Sequence, residues 1–428
     1  MGAQKLNVNI TEGIIWKQIS LFALPLLISN FLQQFYYTTD AAIVGKFIGD
    51  KALASVGSTG ALISMVVGLF MGLATGAGVI IAQYYGAGDT RNLQDSIHTA
   101  AALNIVSGVA LTFLGTVFAP QLLMLMRIPE EALGMAAEYL RIYFMGILPA
   151  MIYNMGAGAL RATGDSTRPL YYLIITCIIN VMLDLLFTAR FKWGVAGAAW
   201  ATNISQLISA ALVTLNLTST TEVYKLHIKK IKFHKKILIS IIKLGFPAGL
   251  QSVVTALSNV IIQSRVNMFG ALTMAAWTAI GRIDGFIYMP INAFGLAITT
   301  FVGQNFGARK YGRVKKSVKV CMTMIMGISV LLSAALTLNG RFMYQIFTDS
   351  ADVVNYGMSM LYIIVPLYPL FALNEVLTGA IRGLGRSFSP MFISLLGMCA
   401  FRIFYITVIT SYGRISPPFA CVIRYHGY

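Results

Sequence analysis

The sequence predicts an all-α polytopic membrane protein built as two parallel six-helix lobes, with the last helix of the second lobe missing. Composition, the spacing of apolar runs and an internal repeat lead to this reading. Apolar residues make up 57% of the 428, charged residues only 11%, and mean hydropathy is +0.74. That balance lies outside the range of soluble globular chains.

A helix crosses the roughly 30 Å hydrocarbon layer with about 20 mainly apolar residues, because each residue rises about 1.5 Å. Runs of that length fall at 17–45, 53–84, 94–118, 133–155, 168–189, 194–216, 238–264, 273–304, 316–338, 355–378 and 388–410. The first follows MGAQKLNVNITEGIIW, which lacks the basic region, short apolar core and small-residue cleavage site of a signal peptide, so the first helix is expected to be retained. Pro25, Pro149, Pro247, Pro290, Pro366 and Pro369 fall inside runs. A packed membrane bundle tolerates them because neighbouring helices satisfy the freed backbone groups.

The net charge of +17 is not spread evenly. Lys225, Lys229, Lys230, Lys232, Lys235, Lys236 and Lys243 crowd the sixth connection, and Arg309, Lys310, Arg313, Lys315, Lys316 and Lys319 crowd the eighth. Odd-numbered connections are poorer in Lys and Arg, so the positive-inside rule places the N-terminus and the even connections in the cytoplasm. Such a distribution argues against a nucleic-acid partner, leaving membrane lipids. Cys177, Cys321, Cys399 and Cys421 are scattered without metal-ligand spacing and read as packing residues.

The repeat is explicit. Gly158-Ala159-Leu160-Arg161-Ala162-Thr163-Gly164 returns as Gly379-Ala380-Ile381-Arg382-Gly383-Leu384-Gly385, an offset of 221 residues (379 − 158). The same offset carries Gln83-Tyr84-Tyr85-Gly86-Ala87 onto Gln304-Asn305-Phe306-Gly307-Ala308, and Pro25 maps onto Pro247 with one extra residue. Six helices precede the second copy, so both copies enter from the same side and the repeats are parallel, as in many secondary transporters. The expected division is a first lobe at 1–217, a basic cytoplasmic linker at 218–236 and a second lobe at 237–428.

These motifs, with Gly194-Val195-Ala196-Gly197-Ala198-Ala199, resemble the multidrug and toxic compound extrusion (MATE) family over residues 15 to 410. The resemblance implies twelve helices in two lobes and export of amphipathic, often cationic, organic compounds against a proton or sodium gradient. The chain departs from that pattern at its end. From about residue 411 it carries an aberrant tail containing Ser416-Pro417-Pro418, where the counterpart of the sixth helix is expected.

The intramembrane acids carry the functional reading. An acid at the bilayer centre costs roughly 2.5–3.5 kcal/mol on insertion scales, so it faces a polar interior. Asp40 ends a stripe of Ser29, Gln33, Tyr36 and Tyr37 on the first helix, and Asp184 lies one turn beyond Asn180 on the fifth. Both acids sit at a depth of about 13 Å, counted at roughly 1.5 Å per residue from the outer ends near Gly49 and Trp193, so they can meet at one level. The repeat is an internal control: Asp40 maps to Ile262, Asp184 to Tyr405 and Asn180 to Phe401, so the acids belong to the first lobe alone.

Burial and a neighbouring like charge both favour the neutral carboxyl, which lets an acid load and release a proton. Oxygen from Asp184, Asn180, Thr202 and the backbone near Ala198 would equally suit a hard alkali cation. Residue by residue, Asp40, Asn180, Asp184, Ala198 and Thr202 resemble the first-lobe cation site of the DinF-like branch of the family. Their types leave H⁺ and Na⁺ both open. The bland alternatives are that Asp40 caps the first helix and that Asp184 neutralises Arg190 or Lys192.

A cargo cavity is expected from Gln33, Tyr36, Tyr37, Tyr139, Tyr143, Tyr153, Asn154, Asn259 and Glu375, with packing as the competing role. Arg282 and Asp284, two apart on one helix, read as structural, and Asp165 as holding a cytoplasmic turn. The expectation is a monomeric, multi-pass antiporter of the inner or plasma membrane, working by alternating access with H⁺ or Na⁺ as coupling ion and no cofactor. Its rivals are a flippase for lipid-linked saccharides, which would need a strongly cationic cavity, a membrane-embedded enzyme, which lacks clustered catalytic residues, and a channel, which lacks a filter loop.

Overall fold

The computed structural model of the chain describes residues 9–126 and 130–404. Each expected run is helical over its described residues, two of them broken into a pair of helices. The first lobe contains α1 (Ile15–Phe47), α2 (Asp50–Ala87), α3 (Thr90–Leu125), α4 (Glu130–Met145), α5 (Ile147–Ala162), α6 (Thr167–Asp184) and α7 (Val195–Ser219). The second contains α8 (Lys235–Asn267), α9 (Ala271–Gly307), α10 (Tyr311–Gln345), α11 (Ala351–Ile364), α12 (Tyr368–Gly383) and α13 (Phe388–Ser394). Among the described residues nine helices are long and apolar enough to cross a membrane, and a bent pair makes ten. The eleventh run is helical over Phe388–Phe404, and the tail expected to replace a twelfth helix lies outside the described residues.

The bent pair, α4 and α5, meets at 47° where the apolar run suggests one span. Pro149 cannot donate a backbone hydrogen bond, so the ladder breaks upstream of it. Gly146 N–H turns to the Tyr143 carbonyl, and Asn203 of α7 donates its side-chain amide to the Ile142 carbonyl that this leaves over. A Cβ at Gly146 would lie 1.9 Å from Asn203 Oδ1, so glycine is what admits the wedge. The second lobe breaks at the matching place, where a 3₁₀ turn, Val365–Leu367, separates α11 from α12 around Pro366.

The repeated loop motif has a local cause too. Gly164 and Gly385 both adopt positive φ, 97° and 84°, which closes the preceding helix in a left-handed cap. Asp165 then accepts hydrogen bonds from the backbone N–H groups of Thr167 and Arg168 and pairs with the Arg168 guanidinium at 3.2 Å, holding the turn. Burial pushes the Asp165 carboxyl above its ordinary range, and the Arg168 and Thr167 contacts pull against that shift.

Packing crosses the lobe boundary in a symmetric way. Ile15, Ile19, Phe22, Ala23 and Leu26 of α1 join the buried cluster of α9 to α12, whereas Ile237, Ile241 and Leu244 of α8 join the cluster of α2, α3 and α5. Each lobe thus holds the first half of the other's first helix. The linker is docked, not free: Tyr224 is fully buried, and the backbone N–H groups of His227 and His234 donate to His98 Nε2 and Thr99 Oγ1 of α3.

At the linker end of the bundle the lobes are clamped. Gln83 donates to the Gly383 carbonyl at 2.9 Å, and its repeat counterpart Gln304 donates to the Ala162 carbonyl at 2.7 Å. A Cβ at Gly86 would stand 2.0 Å from Gln304 O, and one at Gly307 1.9 Å from Gln83 O. Further along, Gly72 and Gly249 bring α2 and α8 into backbone contact. Toward the far end, Gly57 and Gly60 of α2, Gly270 just before α9 and Gly285 within it meet nothing among the described residues within 4 Å of an added Cβ.

Candidate functional site

The structure brings the two first-lobe acids together. Asp40 of α1 is 9% exposed and Asp184, the last residue of α6, is fully buried, with their carboxyl groups within hydrogen-bonding reach of one another. Asn180, one turn below Asp184, is fully buried, as is Ala198 of α7, and Thr202 is 8% exposed. Tyr36 donates its hydroxyl to Thr202 Oγ1 at 3.2 Å, and Tyr139 of α4 is close enough to feel both carboxyls. Three helices of the first lobe thus converge on the acids, with Tyr139 of α4 beside them.

Local backbone explains how α6 presents them. The helix widens into a π-helical turn, Leu185–Arg190, directly after Asp184, and Thr188 bonds back to the Asp184 carbonyl. Such turns rotate the side chains that precede them and recur at functional positions. Asp40 lies two turns before the α1 C-terminus and does not cap it, and no cation pairs with Asp184 among the described residues. Both bland roles are therefore absent from this arrangement.

The chemistry follows from unmet polar groups. Asp40 Oδ1, both Asp184 carboxyl oxygens, and Asn180 Oδ1 and Nδ2 are buried, and no N–H or O–H among the described residues donates to the oxygens. Two carboxylates in contact repel by about 4 kcal/mol at 4 Å for an effective dielectric constant near 20. A shared proton or a small cation between the oxygens removes that repulsion. The donor set suits either.

The expected cargo residues divide. Tyr36 and Tyr139 lie near the acids, and Tyr143 stacks on Tyr139 at 6.3 Å. Gln33 and Tyr37 are exposed on α1, with Tyr37 packed edge-on against Tyr36. Tyr153 goes elsewhere: it is buried in the core of the first lobe and its hydroxyl donates to the Pro169 carbonyl. Asn259 accepts from Arg402 on the second lobe, and Glu375 packs against Gly295 of α9. Asn154 lines two adjoining pockets between α2, α5 and their neighbours. Asp284 is fully buried and accepts from the Tyr368 hydroxyl, while Arg282 lines a separate pocket with Thr278 and Phe347. The Tyr368 bond is one that sequence spacing could not signal, because its partners lie 84 residues apart.

The MatE family profile matches residues 25–186 and again 247–408, one copy in each lobe. The chain belongs to the MatE family. As a member of a transporter family it is a membrane transporter and not an enzyme. Among its relatives, a probable multidrug resistance protein of Bacillus subtilis, YpnP, is 30% identical over 92% of this chain and 88% of its own length. A second from the same organism, YoeA, is 27% identical over 94% and 88%. A solved MOP superfamily transporter from Pyrococcus furiosus superposes with a TM-score of 0.91 at 21% identity, covering 100% of this chain and 95% of that one. A multidrug resistance MATE family transporter solved in an outward-facing conformation superposes equally well, also at 0.91 and 21%. These likenesses confirm the two-lobe MatE fold predicted from the repeat.

Proposed function

We propose that this MatE transporter exports amphipathic organic compounds, cationic ones among them, by alternating access driven by H⁺ or Na⁺ returning through the Asp40–Asp184 pocket. The observation that carries the reading is the contact of two buried acids, each with unmet oxygens, in one lobe of a two-lobed transporter. The arrangement resembles the cation site of the DinF-like branch, and the names of the relatives support drug-like cargo. By the positive-inside rule the linker end faces the cytoplasm and the bundle lies in the inner or plasma membrane. The clamp at Gln83 and Gln304 then corresponds to a state closed to the cytoplasm.

Cation loading changes the attraction between α1 and α6 on the first lobe. Because the first half of α1 is packed in the core of the second lobe, a movement of its second half is felt across the interface. Moving one charge through a potential of about 100 mV releases about 2.3 kcal/mol, enough for well over a tenfold cargo gradient. The decisive experiment is ethidium efflux from proteoliposomes carrying either a proton or a sodium gradient. Asp40→Asn and Asp184→Asn should each abolish gradient-driven efflux while the protein remains inserted. Full activity in both variants overturns the proposal, and the gradient that supports wild-type efflux identifies the ion.

A further inference from the structure

Arg161 stands in an unusual position. It lines a solvent-open pocket between the lobes, together with Thr75 and Ala74 of α2, Asn154 and Gly158 of α5, and Thr299 and Thr300 of α9. Its guanidinium makes no ion pair and no hydrogen bond among the described residues. The second lobe shows the same position with a side-chain acceptor beside it. Its repeat counterpart Arg382 donates to Gln251 Oε1 at 2.7 Å, and Gln251 in turn is held by Ser394 at 2.7 Å. In the first lobe the place of Gln251 is taken by Ser29, whose hydroxyl is spent on the Pro25 carbonyl at 2.8 Å.

Arg161 is half-buried and unpaired, and an Arg fork with five N–H groups is matched by the planar or tetrahedral oxygens of an acid. The three threonines of the pocket all bond back to their own helices, and Asn154 spends one amide N–H on the Ala150 carbonyl, so Arg161 is the charged donor left for a ligand. Next to this pocket, and sharing Met71, Ala74 and Asn154 with it, lies a mainly apolar one lined by Val67, Phe70, Leu111, Ile147 and Met151. One end of the combined space is cationic and the other is greasy.

We infer that this inter-lobe space binds the acidic group of an amphiphilic cargo, with Arg161 holding a carboxylate or phosphate head and the Phe70–Met151 pocket taking its apolar body. The inference rests on the transport reading for its role but not for its test, which needs no gradient. A cargo that also carries a positive charge is a zwitterion, and its acidic group is the part assigned to Arg161. Arg382 differs from Arg161 in that its guanidinium already donates to Gln251.

The test is equilibrium binding to the purified full chain in a non-ionic maltoside, read by fluorescence. The probes are 11-(dansylamino)undecanoic acid, its methyl ester, and the corresponding dansyl-labelled alkyl phosphate. The wild type should bind the acid about tenfold more tightly than the ester, the scale of one charge-assisted hydrogen-bonded pair. Arg161→Gln should bring the acid down to the ester's affinity, Arg161→Lys should retain part of the difference, and Arg382→Gln should retain all of it. Gly158→Leu fills the pocket, since its Cβ meets nothing nearer than the Arg161 guanidinium at 3.9 Å, and it should erase the preference without altering the cation. If the phosphate exceeds the acid with the same Arg161 dependence, the head is a phosphate; if the acid exceeds it, a carboxylate. Equal binding of acid and ester by the wild type, or an equal loss of both in Arg161→Gln, overturns the assignment. Should Arg161→Gln fail to fold, the wild-type ratio and Gly158→Leu still decide. Loss of efflux in the aspartate variants with this binding pattern intact would separate the two proposals.

Discussion

Replacing Gly86 or Gly307 by alanine should unlatch the linker end of the transporter. The added Cβ would land 2.0 Å from Gln304 O in one case and 1.9 Å from Gln83 O in the other, whereas real Cβ contacts essentially never fall under 3.0 Å. The lobes must therefore separate locally by about 1 Å. The hydrogen bonds from Gln83 and Gln304, now 2.9 and 2.7 Å, would stretch past the useful range. Each contributes about 0.5–1.5 kcal/mol net, so losing both shifts the balance between clamped and open forms by about 1–3 kcal/mol, or roughly 5- to 150-fold. The assay is labelling of a cysteine introduced at Ala82, which is 1% exposed inside the clamp, with a membrane-impermeant maleimide applied from the linker side. Cys177, Cys321, Cys399 and Cys421 are first replaced. Both variants should speed labelling by that factor, and because the latch is two-fold they should do so to a similar degree. Labelling at the wild-type rate in both would show that these contacts do not hold the lobes together.

Two further outcomes follow from the packing. Asn203→Ala leaves the Ile142 carbonyl without its donor at the α4–α5 break, which costs about 1–3 kcal/mol for a buried group and should lower the melting temperature in detergent; an unchanged midpoint would mean that the wedge is decorative. Arg313→Ala removes the hydrogen bonds that tie Ile10, Glu12, Gly13 and Gln18 to α10, so amide exchange at residues 10–13 should accelerate several-fold while α10 itself stays protected.

Much of the fold is legible in the chain's own residues. Hydropathy locates the runs because a helix is the one way for a single chain segment to satisfy its own backbone in lipid, and the repeat reveals the lobes because both copies solve the same packing problem. Helix ends are less visible. α3 extends to Leu125 where the apolar run suggests 118, because buried contacts of Ala119 and Leu123 with α4 continue the helix past the point where hydropathy fades. Pro149 announces the break within the fourth span, but not its angle or the role of Asn203, since these depend on a residue 57 positions away in sequence from Gly146.

The class of protein, the two-fold plan and the confinement of paired acids to one lobe follow from the order of residues alone. They are properties of composition and of each residue compared with its own repeat, and no packing information enters them. That Asp40 and Asp184 touch, that each lobe holds half of the other's first helix, and that Arg161 lacks the acceptor its twin has are facts of the folded chain. Each depends on where side chains from distant helices come to rest, and hydropathy and periodicity carry only the face a residue occupies, not the neighbour it meets.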